Sequence, residues 1–228
     1  MKFLTKSHFA AIFLLSFSQV VRPTSFLEVV TIFSRYLKNP NQVGEIAPLS
    51  QLVGTELSRY VAKGQEGKRY LEAGGGCGAI SVCIARSLRP QDHLDVIEID
   101  GHMCDILKER LKQYPNVAVH WCSILDWKSE ALYDGIISTL PFNSLGIDFT
   151  QAAMMYFEQV AGPGCMFSYV EYPIVRQAVQ YFYGSDRKRN FRAVQSFLSI
   201  VRGKYLVEQM TIYRNVPPVT VYHLCLKP

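Results

Sequence analysis

Residues Leu71 to Gly78 read L-E-A-G-G-G-C-G, and twenty positions after the last of these glycines Glu98 closes the apolar run L-D-V-I-E that starts at Leu94. Glycine at 74, 76 and 78 permits a tight strand-to-helix turn that brings bare backbone against a ligand, and a carboxylate at the tip of the next strand can accept both hydroxyls of a ribose. Together they predict a site for a nucleoside-containing cofactor.

The setting supports the motif. Arg69 to Ala73 reads as a short apolar strand, Ala79 to Leu88 has helical spacing at Ile80, Ile84 and Leu88, and Leu94 to Ile99 is again a strand, which completes one strand-helix-strand unit. A dinucleotide fingerprint asks for a glycine or alanine three places after its second glycine, and Ala79 satisfies that spacing, so it stays open. Glu72, two residues before the first glycine, favours S-adenosylmethionine, because a carboxylate there can reach the ammonium group of a methyl donor.

Downstream, 103–113 is expected to be helical, 117–122 a third strand, and 133–140 a fourth that runs into L-P-F-N-S. A fifth strand is expected in F-S-Y-V-E-Y-P, then helices near 174–183 and 190–201 and strands near 205–213 and 219–226. This alternation predicts a doubly wound, mostly parallel α/β sheet of Rossmann-like type. Ligands of such sheets sit at the carboxyl ends of the strands near the switch in strand order, which gathers the turn at 74–78, Glu98, Ser123 and the 138–144 loop into one crevice.

With 228 residues, 49% of them apolar, the chain suffices for one globular domain, expected over 51–228 and preceded by a helical extension and loop over 1–50. The six cysteines have no C-x-x-C spacing and sit mostly in apolar runs, so a reduced compartment and no metal site are expected. Lys2 and Lys6 precede the apolar stretch 9–17, which is too short to span a bilayer and fits either an interfacial or core-packing helix or a secretory signal. Five cations over residues 1–44 (Lys2, Lys6, Arg22, Arg35, Lys38) against Glu28 leave net +4 of the chain's +5, and Phe26, Val29, Val30, Phe33 and Leu37 recur at helical spacing. This pattern suits a core-capping helix and also a basic helix on an anionic membrane surface; the expected place is cytoplasmic, peripheral to the inner membrane face.

Four segments in order carry a resemblance to a known family: N-P-N-Q-V-G-E-I-A-P-L-S (39–50), L-E-A-G-G-G-C-G (71–78), I-I-S-T-L-P-F-N-S-L (136–145) and R-N-V-P-P-V-T-V-Y (214–222). The chain resembles the bacterial phospholipid N-methyltransferases, a branch of the class I S-adenosylmethionine-dependent methyltransferases, over roughly residues 25–228. The resemblance implies a seven-stranded sheet with helices on both faces. It implies cofactor contacts from Glu72, Gly74, Gly76, Gly78, Glu98, Ile99, Ser123, Ile124 and Thr139, with Ile99 on the adenine. Ser123 stands where relatives often have an acidic residue, which shifts adenine recognition toward backbone at Ile124 or toward Asp126.

The resemblance further implies a phosphatidylethanolamine-like substrate whose amine is met by Leu140, Pro141 and Phe142, with Arg214 and Asn215 at the lipid phosphate. Methyl transfer needs the nucleophile, the carbon and the leaving sulfur in line within about 3–3.5 Å. An ammonium must also lose a proton, and Tyr172, Glu171 and Asn143 are the candidates for accepting it or cradling the cation. The same loop also resembles the N-L-P-Y-N element of rRNA adenine dimethyltransferases, in which an asparagine and a backbone carbonyl align the exocyclic amine beside a stacking aromatic. Thr139 occupies the asparagine position. The basic run Arg187, Lys188, Arg189, Arg192 suits RNA phosphates or anionic headgroups equally. A third alternative is a methyltransferase-like binding protein without turnover.

Overall fold

Seven strands form one sheet in the order β3-β2-β1-β4-β5-β7-β6. The computed structural model describes residues 49–62, 67–173, 184–215 and 218–228. The expected elements over 9–17, 25–37 and 174–183, most of the 39–50 loop and Pro217 lie outside the described residues. Residues 48–228 form one compact unit.

Along the chain the elements are α1 (Gln51–Leu57), β1 (Arg69–Ala73), α2 (Ala79–Ser87), β2 (His93–Glu98), α3 (Gly101–Leu111), β3 (Val117–Trp121), β4 (Tyr133–Ser138), α4 (Phe142–Leu145), α5 (Ile147–Val160), β5 (Ala161–Glu171), α6 (Ser185–Tyr205), β6 (Leu206–Ile212) and β7 (Val219–Cys225). β1 to β5 pair in parallel, and β7 lies antiparallel to both β5 and β6. The central strands β1, β2 and β4 are buried along nearly their whole length, Glu72 and Asp95 included, because both faces of a parallel sheet are covered.

Asp100 caps α3 by accepting from the Met103 N–H at 3.0 Å. α4 and α5 lie between β4 and β5, where the sequence reading places no helix. α5 is nonetheless amphipathic: Thr150, Ala153, Met154, Phe157 and Val160 recur at spacings of three and four and are buried. Phe157 is fully buried against Phe167, with ring centroids 5.2 Å apart. On α6 the same stripe is Phe191, Val194, Leu198 and Val201. These two helices cover one face of the sheet and join its apolar side chains in a single core cluster. Burial of each large side chain there contributes about 2–3 kcal/mol.

Two features of this topology place the site. The strand order reverses between β1 and β4, so the loops that leave these neighbours open a crevice at the carboxyl edge. α6 descends from that edge, since Leu206, the first residue of β6, pairs with Leu224 opposite Phe167, whereas Ile212 ends the strand beyond Glu171.

Candidate active site

The glycine turn is built as its sequence requires. Gly74 and Gly78 have φ of 85° and 86°, a region that side chains rarely adopt. Gly75, absent from the expected set, is needed for packing instead: a Cβ there would lie 2.5 Å from Val96 Cγ1 and 2.9 Å from Leu107 Cδ1. The turn is fastened by the Gly74 N–H to Ile97 O (2.9 Å) and by Arg110 Nη1, which donates to Cys77 O at 2.6 Å.

Beneath it Glu72 is fully buried, and its carboxylate oxygens make no hydrogen bond of good geometry, the Ser81 hydroxyl being a nearby polar group. Burial pushes its carboxyl up to about 8; the Ser81 hydroxyl offsets part of that, and the Glu98 charge adds to it. An unpartnered buried carboxylate is costly unless a cation comes to it. Glu98, at the tip of β2, accepts from Gly76 N at 2.8 Å and from Asp100 N at 2.9 Å, so backbone fixes its carboxylate beside the turn. Ile99 follows it and is 69% exposed, open to a flat ring. Trp121, which the sequence reading does not include, donates its indole N–H to Ile99 O at 3.0 Å and braces that backbone.

Ser123 folds its hydroxyl back to the Leu125 N–H at 3.3 Å, and its carbonyl accepts from Asp126 N and Trp127 N. It therefore shapes the loop after β3. Ile124 is buried in the core, which leaves its backbone as the part that can meet a ligand. The residues fit S-adenosylmethionine: Glu72 suits the ammonium, the glycine backbone the amino-acid end, Glu98 the ribose and Ile99 the adenine.

The loop after β4 is fastened to the turn. Thr139 N donates to Ala73 O at 3.1 Å, and the Thr139 hydroxyl donates to Gly74 O. Leu140 and Pro141 are half-buried beside it. Phe142 turns inward, because Leu145 N and Ser144 N bond back to Pro141 O and start α4 there. It is 3% exposed and packs edge-on against Tyr169 at 6.1 Å. The expectation that Phe142 faces substrate is thereby corrected, since its ring belongs to the core.

Glu171 and Tyr172 are also buried, at 6% and 8% exposure. Arg202 Nη1 donates to Glu171 Oε1 at 2.9 Å and to the Tyr169 hydroxyl at 2.8 Å, and Gln195 Nε2 donates to Asn143 Oδ1 at 2.9 Å and to Glu171 Oε2 at 3.4 Å. Glu171 is thus the counter-ion of the half-buried Arg202 rather than a base open to an incoming amine. Asn215 is 1% exposed, and its carboxamide oxygen accepts from Ser50 N at 2.9 Å, so it ties the start of α1 to the β6–β7 corner instead of presenting itself to a phosphate. Arg214 is exposed. Among the described residues no group of three metal-ligating side chains comes together, and no helix is long and apolar enough to cross a membrane.

A glycine turn, an acid beneath it, a second acid on β2 and a loop from β4 at the switch point define a class I methyltransferase. The family of ribosomal RNA adenine dimethylases matches residues 32–151, slightly over half of the sequence, and the chain belongs to that family. It is an S-adenosylmethionine-dependent methyltransferase. Solved structures share its fold. The N-methyltransferase NodS from Bradyrhizobium japonicum WM9, in complex with S-adenosylhomocysteine, is 16% identical with a TM-score of 0.57 over 86% of this chain and 97% of its own. The O-methyltransferase TomG from Streptomyces achromogenes, in complex with S-adenosylmethionine, is 16% identical with a TM-score of 0.58 over 97% and 99%. An rRNA methylase from Streptococcus thermophilus is 11% identical with a TM-score of 0.54 over 77% and 95%. No curated protein matches the chain.

Proposed function

We propose that the protein methylates the exocyclic amine of an adenine in RNA. The observation that carries this reading is the family match, which spans both the cofactor turn and the loop that closes against it. The bound cofactor supplies a sulfonium methyl that is already activated, so the protein's task is alignment. Thr139 has its hydroxyl hydrogen engaged by Gly74 O and keeps lone pairs for an amine N–H. The Leu140 carbonyl, one lone pair of which takes the Phe142 N–H at 2.9 Å, offers a second acceptor. Two acceptors that hold the N–H groups leave the nitrogen lone pair to point along the reaction axis. A target base in a duplex would have to leave its stack to reach this crevice, at a cost of a few kcal/mol.

A different observation favours a second reading, the amine of a phosphatidylethanolamine-like headgroup. Position 139 lacks the carboxamide of the adenine-binding element, and Phe142 is buried rather than open for stacking. An aliphatic amine needs neither. On this second reading the enzyme works at the inner membrane face, an expectation drawn from the charge of the basic N-terminal segment. The test is transfer of radiolabelled methyl into unmodified ribosomal RNA and, in parallel, into phosphatidylethanolamine vesicles, with Gly76→Arg as control. Label in RNA that the control abolishes supports the first reading. Label in lipid alone replaces it with the second, and label in neither, with cofactor still bound, refutes both.

A further inference from the structure

α6 touches the acceptor loop and the start of the helix that follows it, both in its first three turns. The Asn190 carboxamide oxygen accepts from Ile147 N at 3.1 Å, at the start of α5, and Gln195 Nε2 donates to Asn143. The same turns carry Arg187, Lys188, Arg189 and Arg192. Arg187, Arg189 and Arg192 are exposed, and Lys188 is half-buried. Since α6 starts at the carboxyl edge of the sheet, these cations stand on the side of the crevice where the β4 loop ends, within about one helical turn (5.4 Å) of Asn190.

Among the described residues, the carboxylates on these turns do little to neutralise Lys188, Arg189 and Arg192. Asp186 lies 3.4 Å from Arg189, but both side chains are more than 80% exposed, and Asp148 on α5 is exposed too. Such a water-screened pair exchanges readily for another anion. Phe191, Val194 and Leu198, buried on the face turned away from Arg189 and Arg192, hold the helix to the sheet, and Lys188 lies on the flank between the two faces. Asn190 and Gln195 fix its phase against the loop. The array is therefore preorganised relative to the reacting amine, unlike a cationic tail.

We infer that the first turns of α6 form the track for the phosphate backbone that flanks the target nucleotide. This rests on the RNA reading and deepens it. Lys188, Arg189 and Arg192 bind phosphates without reading sequence, and the β4 loop receives the base, so positioning and chemistry fall to two elements that hydrogen bonds lock together. Three such contacts account for a slope of about −2 in log K against log salt for a single strand, at about −0.7 for each phosphate.

The experiment is fluorescence anisotropy of a labelled single-stranded RNA 20-mer between 50 and 300 mM salt, with the intact protein and with Lys188→Gln/Arg189→Gln/Arg192→Gln. Binding to anionic phosphatidylglycerol vesicles is measured beside it, and cofactor affinity by calorimetry. The expected result is a salt slope shallower by about 2 for the triple variant, with cofactor affinity and melting temperature within error of the parent. RNA binding by the parent with an unchanged slope in the variant overturns the track and leaves the RNA reading standing. Absence of RNA binding by the parent overturns that reading itself. Loss of vesicle binding with intact RNA binding assigns the array to a membrane surface and overturns the track.

Discussion

Glu72 carries a consequence for cofactor binding that can be measured without knowing the methyl acceptor. Its carboxyl is fully buried, and that burial pushes it up to about 8. At pH 7 it is then about 90% protonated in the free protein, and a cofactor ammonium settling beside it draws it to the ionised form. Binding should release about 0.9 proton at pH 7, about 0.5 at pH 8 and about 0.1 at pH 9, and affinity should strengthen by up to about tenfold per pH unit below 8. Calorimetry in phosphate and in Tris reads the protons, because the apparent enthalpy shifts with the ionisation enthalpy of the buffer. Glu72→Gln should abolish the release and weaken the cofactor by about 10- to 100-fold, the contribution of a charge-assisted hydrogen bond of about 1.5–3 kcal/mol.

The same group also sets the pH dependence of the unliganded protein's stability. Its folded pKa lies above the unfolded value of 4.5, so its contribution is complete below 4.5 and is lost as pH rises through about 8. The full span is on the order of 5 kcal/mol. Glu72→Gln should therefore melt higher than the parent at pH 9 and close to it at pH 5. A cofactor affinity that is flat from pH 6 to 9, with enthalpies independent of the buffer, would refute the reasoning.

Two further outcomes follow from the packing. Gly75→Ala places a methyl against Val96 and Leu107 and should cost about 2 kcal/mol, near 6 °C in melting temperature, with a parallel loss of cofactor affinity; an unshifted melt would mean that α3 yields at no cost. His223, fully buried, sits between the Ser168 hydroxyl at 2.7 Å from Nδ1 and Glu56 Oε1 at 3.3 Å from Nε2. The spacing is that of a hydrolase relay, yet Ser168 is 2% exposed in mid-strand, so the group serves to bind α1 to the sheet. Burial lowers the imidazole below 6.5, with Glu56 acting in the opposite sense. The neutral ring's contribution is complete above 6.5 and lost as pH falls through the folded value, so unfolding should take up a proton in that window, and His223→Gln should remove the slope in chemical denaturation.

Most of the sheet is legible in the chain because its signals are local. Strand β1 falls at Arg69–Ala73 as read, and β2, β3 and β4 lie within one or two residues of their expected ends, since apolar period and glycine spacing need only neighbours in sequence. The cofactor half of the site shares this property: turn, acid and next strand tip are all within one strand-helix-strand unit. The polar ties are not local. Asn143 meets Gln195 across 52 positions and Ser50 meets Asn215 across 165, so each depends on the phase of a helix or hairpin that no local pattern specifies. Gln195 and Arg202 stand seven apart beside the apolar stripe of α6, which hints that they face inward but not what they face.

The acceptor loop separates letters from orientation most sharply. T-L-P-F-N reads as an amine-binding element with an aromatic ready to stack, and nothing in those five residues says which way the ring turns. The direction is decided by Pro141, whose carbonyl accepts from Ser144 and Leu145 and thereby starts a helical turn at Phe142 that swings the ring onto Tyr169. With the ring buried, the proposed function leaves the Thr139 hydroxyl and the Leu140 carbonyl to meet an incoming amine, groups that any primary amine can satisfy. Discrimination among amines must then come from what flanks the crevice rather than from the loop itself. For a nucleic acid the flanking element is the cationic start of α6, which hydrogen bonds from Gln195 to Asn143 of the loop and from the first residue of α5 to Asn190 hold in place.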